Sequence, residues 1–195
     1  MDIERRSKYY YENCDVLLNK LDIKDSKLLD EYERKVVAIK LLLIENVKFS
    51  NRFDGNMLKE IHNFLFSEVY DFAGEYREEN LAKDEFRFAS CDFIASELDR
   101  VLGPLKNIEN YKNMDKKEAA EKYAYLLSEI NVIHPFREGN GRTYREFVRL
   151  FAKETGYKLD WSKCEYEEIF EASKKSVYDL EDLTNVIYKC LSKIK

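Results

Sequence analysis

The run HPFREGNGRTYR, residues 134 to 145, gathers one of the chain's two histidines, one of its two prolines and two of its six glycines. Each residue type in it has a use around a nucleotide phosphate. Gly139 and Gly141 leave the backbone free to take positive φ and to approach a ligand closely, and Asn140 between them offers a side-chain amide donor. A helix starting here aims its unpaired N–H groups and the positive end of its dipole at one spot, which makes an anion-binding turn. Arg142 and Arg145 are three residues apart, share a helix face and can reach one anion. Arg149 extends the row by a turn and is read as solvated. Glu138 can supply one carboxylate to an octahedral Mg²⁺ whose other ligands are phosphate oxygens and waters. His134 alone in the run has an ordinary pKa near neutrality, so it is the candidate general base, while Pro135 and Phe136 would fix the turn and anchor it in the core. The run is neither a Walker loop nor a dinucleotide fingerprint, because it lacks G-x-x-x-x-G-K-[ST] and no strand precedes it. Taken singly, Glu138, Arg142 and Arg145 are ordinary surface charges; the joint pattern is what points to chemistry.

The surrounding periodicity predicts helices that would hold this turn. Asp25 and Ser26 can cap a helix with Leu28, Leu29, Tyr32, Val36, Ile39 and Leu43 inward, ending near Phe49. Asp54 can cap a second, with Leu58, Ile61, Leu65 and Val69 inward and His62 beside the stripe as a core or boundary residue. From 74 to 89 the helical period is lost, and short alternating pieces flank Lys83, Asp84 and Glu85; this is the one segment expected to form strand, as a hairpin. A helix from Ser90 or Asp92 should stop at Gly103 and Pro104. Asp115 should cap the helix with Ala119, Tyr123, Leu126, Leu127 and Ile130 on one face, and a helix to Thr155 should follow the 134–141 interruption. Ser162 and Glu165 have capping-box spacing for a helix through about Ser173, and a last helix should run from about Asp179 to Ile194. Six glycines and two prolines are too few for an all-β sandwich, which needs a turn every ~8–12 residues. The expectation is one all-α domain across 1–195.

Composition narrows the partners. With 33 Lys and Arg against 38 Asp and Glu, no excess basic charge is set aside for nucleic acid. No apolar run approaches the ~20 residues of a membrane span, and the first residues lack an apolar leader core. Cys14, Cys91, Cys164 and Cys190 are far apart in sequence and make no metal-binding spacing, so they are read as reduced thiols. A soluble cytoplasmic protein is expected, unless it is exported as an effector.

The 134–145 run resembles the Fic-family motif H-x-F-x-[DE]-G-N-G-R-x-x-R and matches it at every specified position. Residues 61 to 89 are similar to the helix and flap hairpin that precede the motif in Fic proteins, and LNKLDIKD, residues 18 to 25, to their N-terminal segment. Ser90 departs from the Pro that many relatives carry after the flap's Phe-Ala. The resemblance implies a Fic-type helical bundle with a short β-hairpin flap, transferring AMP from ATP to a hydroxyl of another protein with Mg²⁺ as cofactor. It implies that His134 deprotonates the hydroxyl, that Glu138 holds Mg²⁺, and that Gly139, Asn140 and Gly141 form the anion hole for the α- and β-phosphates. Arg142 and Arg145 would bind the β- and γ-phosphates. Flap residues Lys83, Asp84, Glu85, Phe86, Arg87 and Phe88 would register the target by main-chain pairing. Fic proteins are commonly inhibited by a helix bearing [S/T]-x-x-x-E-[G/N]. Of the glutamates followed by Gly or Asn, namely Glu12, Glu45, Glu79, Glu109 and Glu138, none has Ser or Thr four positions earlier. This favours a toxin held in check by a separate antitoxin protein over one inhibited by a C-terminal helix that is absent here, and DNA gyrase and topoisomerase IV subunits are the targets the resemblance implies. Another nucleotide donor, phosphotransfer as in Doc-type relatives, and an inactive Fic-fold binding module stay open as alternatives.

Overall fold

The computed structural model describes residues 7–50, 52–83 and 86–194. Among them are seven α-helices: α1 (Ser26–Leu43), α2 (Gly55–Phe66), α3 (Ile94–Leu102), α4 (Lys116–Ile133), α5 (Asn140–Glu154), α6 (Tyr166–Lys175) and α7 (Glu181–Cys190). Two short two-stranded sheets complete the fold: the hairpin of β1 (Ala82–Lys83) with β2 (Phe86–Arg87), and β3 (Tyr157–Leu159) with β4 (Leu191–Lys193), which are joined through α6 and α7, both antiparallel. The all-α expectation with a hairpin flap is met.

Helix α4 is the hub. It packs against α3, α5 and α7, and Ala119, Ala120, Tyr123, Ala124, Leu126, Leu127 and Ile130 are all fully buried, as befits a helix surrounded by neighbours. The Asp115 side chain accepts from the N–H groups of Lys117 and Glu118, and Glu118 returns a bond to the Asp115 N–H, closing a capping box. Asp25 and Asp54 cap α1 and α2 as their sequence positions predict.

Several boundaries differ from expectation. Helix α1 ends at Leu43 rather than near Phe49, passing into a 3₁₀ turn (Ile44–Asn46). On α1 the buried face is Leu29, Glu33, Val36 and Val37, whereas Leu28, Ile39 and Leu43 are exposed. Ser162 does not cap α6: its N–H and hydroxyl both bond Asp160, and the α6 N-cap Glu165 makes no side-chain cap. The last helix stops at Cys190, because Leu191 turns extended and residues 191–193 pair with β3, a sheet the periodicity did not show. All four cysteines are free thiols, and no helix among the described residues is long and apolar enough to cross a membrane.

Candidate active site

The α4–α5 junction builds the site. Pro135 bars its predecessor from the helical region, so α4 ends at Ile133 and His134 takes a left-handed conformation at φ 50°. Phe136 is fully buried and anchors the turn. Gly139 sits at φ 77°, and a Cβ there would lie 2.4 Å from the Phe66 ring, so both conformation and space demand glycine. Gly141 differs from expectation: it is a helical residue inside the first turn of α5 and has no positive φ. Its value is spatial, since a Cβ there would approach Arg145 Nη1 to 3.2 Å. The Arg145 guanidinium therefore lies close to Gly141, in the first turn of α5.

Asn140 is also used differently. Its side chain is buried, with Oδ1 accepting from the Phe136 N–H at 2.9 Å and Nδ2 donating to the Phe136 carbonyl at 2.7 Å. The amide therefore clamps the loop, and only its backbone N–H is left to face an anion. The arginines divide as well. Arg142 donates to Glu33 Oε1 at 2.6 Å and lies 3.4 Å from Glu138 Oε1, while Arg145 has no hydrogen-bond or ion-pair partner among the described residues. Burial pushes the Arg145 pKa below its ordinary value, the sign expected of a cation taken out of water without a counter-ion. Arg149, read as solvated, is instead bound to Glu146 at 2.7 Å and to Glu45 at 2.6 Å.

His134 is held on two sides. Nδ1 faces the Asn131 carbonyl at 3.3 Å, and the ring stacks on Phe88 of the flap with centroids 3.9 Å apart. Asn131 is itself fixed, accepting from the Tyr144 hydroxyl and donating to the Ser173 carbonyl. With Nδ1–H directed at a carbonyl, Nε2 carries the lone pair and is free to accept a proton. Burial, opposed by the Asn131 contact and reinforced by Arg77, Lys83 and Arg137, pushes the His134 pKa down to about 4.

Glu138 accepts from the Gly139 N–H through Oε1 at 2.8 Å, and its side chain is 44% exposed. No cluster of three or more His, Cys, Asp or Glu able to hold a metal exists among the described residues. This donor set fits only an ion that brings most of its ligands with it, as a phosphate-bound Mg²⁺ does, because one open carboxylate is what the protein offers.

His134, Glu138, Gly139, Asn140, Gly141, Arg142 and Arg145 line one cavity of about 1510 Å³, together with Lys83, Phe86 and Phe88 of the flap. Arg87 is exposed and is not part of that lining, and Asp84 and Glu85 lie outside the described residues. The volume exceeds the ~300–1,000 Å³ of a typical small-molecule pocket, which leaves room for a second reactant beside a nucleotide.

Four residues that sequence reasoning left unassigned hold this arrangement. Buried Arg77 donates to the carbonyls of Glu79, Ala89, Ile133 and His134. Glu33, from α1, accepts from Arg142, and Tyr70, in the segment after α2, donates its hydroxyl to Glu33. His62 accepts from the Gly74 N–H through Nδ1 at 2.7 Å, so its Nε2–H donates to the Glu138 carbonyl at 2.9 Å. It also stacks on Phe136 at 3.9 Å. Burial, opposed by the Glu138 bond and reinforced by Arg142, pushes its pKa down to about 4 from an ordinary 6.5.

His62→Ala is expected to destabilise the fold by about 2–4 kcal/mol through lost packing and two unmet backbone groups. The pH dependence has a defined sign. Between pH 6.5 and 4 the unfolded chain takes up a proton at position 62 that the folded chain refuses, so wild-type stability falls as pH is lowered through that window. Urea titrations should show the gap between wild type and His62→Ala narrowing from pH 7 to pH 4; a constant gap would mean that His62 titrates alike in both states.

The Fic/DOC family model matches residues 52–152. Protein adenylyltransferase VbhT of Bartonella schoenbuchensis is 35% identical over 174 residues, covering 89% of this chain and 36% of VbhT, so the chain spans about a third of that relative's length. The probable protein adenylyltransferase y4lH of Sinorhizobium fredii is 33% identical over 171 residues, covering 85% of each chain. In fold, the chain is similar to the BepC effector of Bartonella tribocorum crystallised with bound AMPPNP, with a TM-score of 0.89 at 24% identity over 96% of this chain and 97% of that one.

Proposed function

The chain belongs to the Fic/DOC family, and on that premise we propose that it is a protein adenylyltransferase, moving AMP from ATP to a hydroxyl side chain of a target protein. The observation that carries this reading is the juxtaposition, in one cavity, of a half-buried His134 held by Asn131 and Phe88 with the Gly139 turn that opens α5. VbhT, named a protein adenylyltransferase, and y4lH, named a probable protein adenylyltransferase, support it.

In the proposed reaction the target hydroxyl oxygen attacks the α-phosphorus of ATP, its proton passes to His134 Nε2, and the bond from the α-phosphorus to the bridging oxygen breaks to release pyrophosphate. The backbone N–H groups at the start of α5 and the guanidinium of Arg145 receive phosphate oxygens, stabilising charge by position rather than by covalent chemistry. Glu138 would hold Mg²⁺, which when bound neutralises phosphate charge. Lys83, Phe86, Arg87 and Phe88 would align the target segment along the flap edge, a role carried by the pairing of β1 with β2 beside His134.

We further read the protein as a toxin whose antitoxin supplies an acid to Arg145, in competition with phosphate. Support comes from the unpartnered guanidinium described above. Incubation with ATP labelled at the α-phosphate, Mg²⁺ and a bacterial lysate is expected to label discrete protein bands, gyrase and topoisomerase IV subunits being the first to identify. A lysate that stays unlabelled with nucleotide-competent protein would defeat the transferase reading.

A further inference from the structure

An acid at a phosphate site needs a reason, and Glu33 is such an acid. It lies in the middle of α1 on the face of Leu29, Val36 and Val37, and is 6% exposed. Its Oε2 accepts from the Tyr70 hydroxyl at 2.5 Å and its Oε1 from Arg142 Nη1 at 2.6 Å. Burial and the Glu33 charge push the Tyr70 phenol far above its ordinary pKa, so it remains a donor. The Arg142 guanidinium carbon stands 4.7 Å from the Phe66 ring centroid, and Nη2 points toward Glu138. Its plane and one corner are thus set before any ligand arrives, while part of its fork of five N–H donors stays unspent.

We propose that Glu33, fixed by Tyr70, is a positioning residue that locks Arg142 in the orientation that receives the nucleotide's phosphates. The inference rests on the nucleotide reading above and deepens it. A free arginine must lose its rotamer freedom when it binds, and one ordered in advance does not. Glu33 acts from 109 positions away in sequence, and it differs from a solvated salt bridge because it is buried and doubly bonded. Arg142 is thereby a pre-set contact, and Arg145 remains the open cation.

The test is calorimetric titration of ADP with Mg²⁺ into wild type, Glu33→Gln, Arg142→Ala and the double variant, each checked by thermal unfolding. Glu33→Gln is expected to weaken ADP binding by about tenfold, the scale of immobilising one long side chain. On the Arg142→Ala background the same change should add nothing, because Glu33 acts through that arginine. Wild-type affinity in Glu33→Gln would overturn the inference. Tighter binding would also overturn it, by making Glu33 a competitor of phosphate, and so would an equal loss on both backgrounds. If Glu33→Gln does not fold, Tyr70→Phe poses the same question in the same cycle. A wild type that binds no ADP would sink the nucleotide reading and this inference with it.

Discussion

Replacing His134 by alanine is expected to slow AMP transfer by about 10²–10⁴-fold, the usual contribution of a positioned general base, while ADP affinity changes little. The reason is geometric. The imidazole is fixed by the Asn131 carbonyl and by Phe88, and neither contact involves the groups assigned to phosphate. The pH profile should carry the same signature. Because burial holds the His134 pKa near 4, the base is neutral throughout the neutral range, and transfer should stay level until pH falls toward 4. An inflection near 6.5, the ordinary histidine value, would show that the site is open to water rather than closed over the ring. Equal losses of ADP affinity and transfer rate in His134→Ala would assign the residue to binding instead.

Arg77→Met should produce the largest loss of stability, about 3 kcal/mol or more by urea titration, because it leaves several buried carbonyls without a donor. Arg77 is 2% exposed. Its guanidinium has no acidic partner among the described residues, and its charge is instead met by carbonyls. Two of these, Ile133 and His134, lie at the negative end of the α4 dipole. The other two, Glu79 and Ala89, flank the flap. One side chain thus ties the hairpin to the catalytic turn, and protein that remains folded should also lose transfer activity as Phe88 and His134 separate. A stability change under about 1 kcal/mol would show that water replaces the guanidinium at those carbonyls.

The motif itself was legible in sequence because its residues are local: spacing alone put Arg142 and Arg145 on one face, Pro135 broke the helix, and Gly139 stood where a left-handed residue was needed. The limits of that reading are physical. Gly141 and Asn140 looked like ligand contacts, yet one makes room for Arg145 and the other closes the loop on Phe136. Neither fact follows from residue type. Arg77, Glu33 and Tyr70 act through partners dozens of residues away. For Glu33 a signal did exist, an acid on the same face as Leu29, Val36 and Val37, where an amphipathic helix should be apolar. Tyr9 and Tyr10, which the sequence reading passed over, also reach this region: the Tyr9 hydroxyl accepts from the Glu78 N–H, and Tyr10 meets Arg137 beside the cavity. The β3–β4 pair escaped because its last strand continues a helical apolar pattern, and only pairing with residues 157–159 turns it extended.

The central claim, that this cavity hands the α-phosphate to a protein hydroxyl, is tested most directly by following which phosphate travels. Parallel reactions with target-containing lysate, Mg²⁺ and ATP labelled at either the α- or the γ-phosphate should leave protein-bound label only from the α position, and His134→Ala should abolish it. Protein-bound label from the γ position would identify a phosphotransferase and contradict the account.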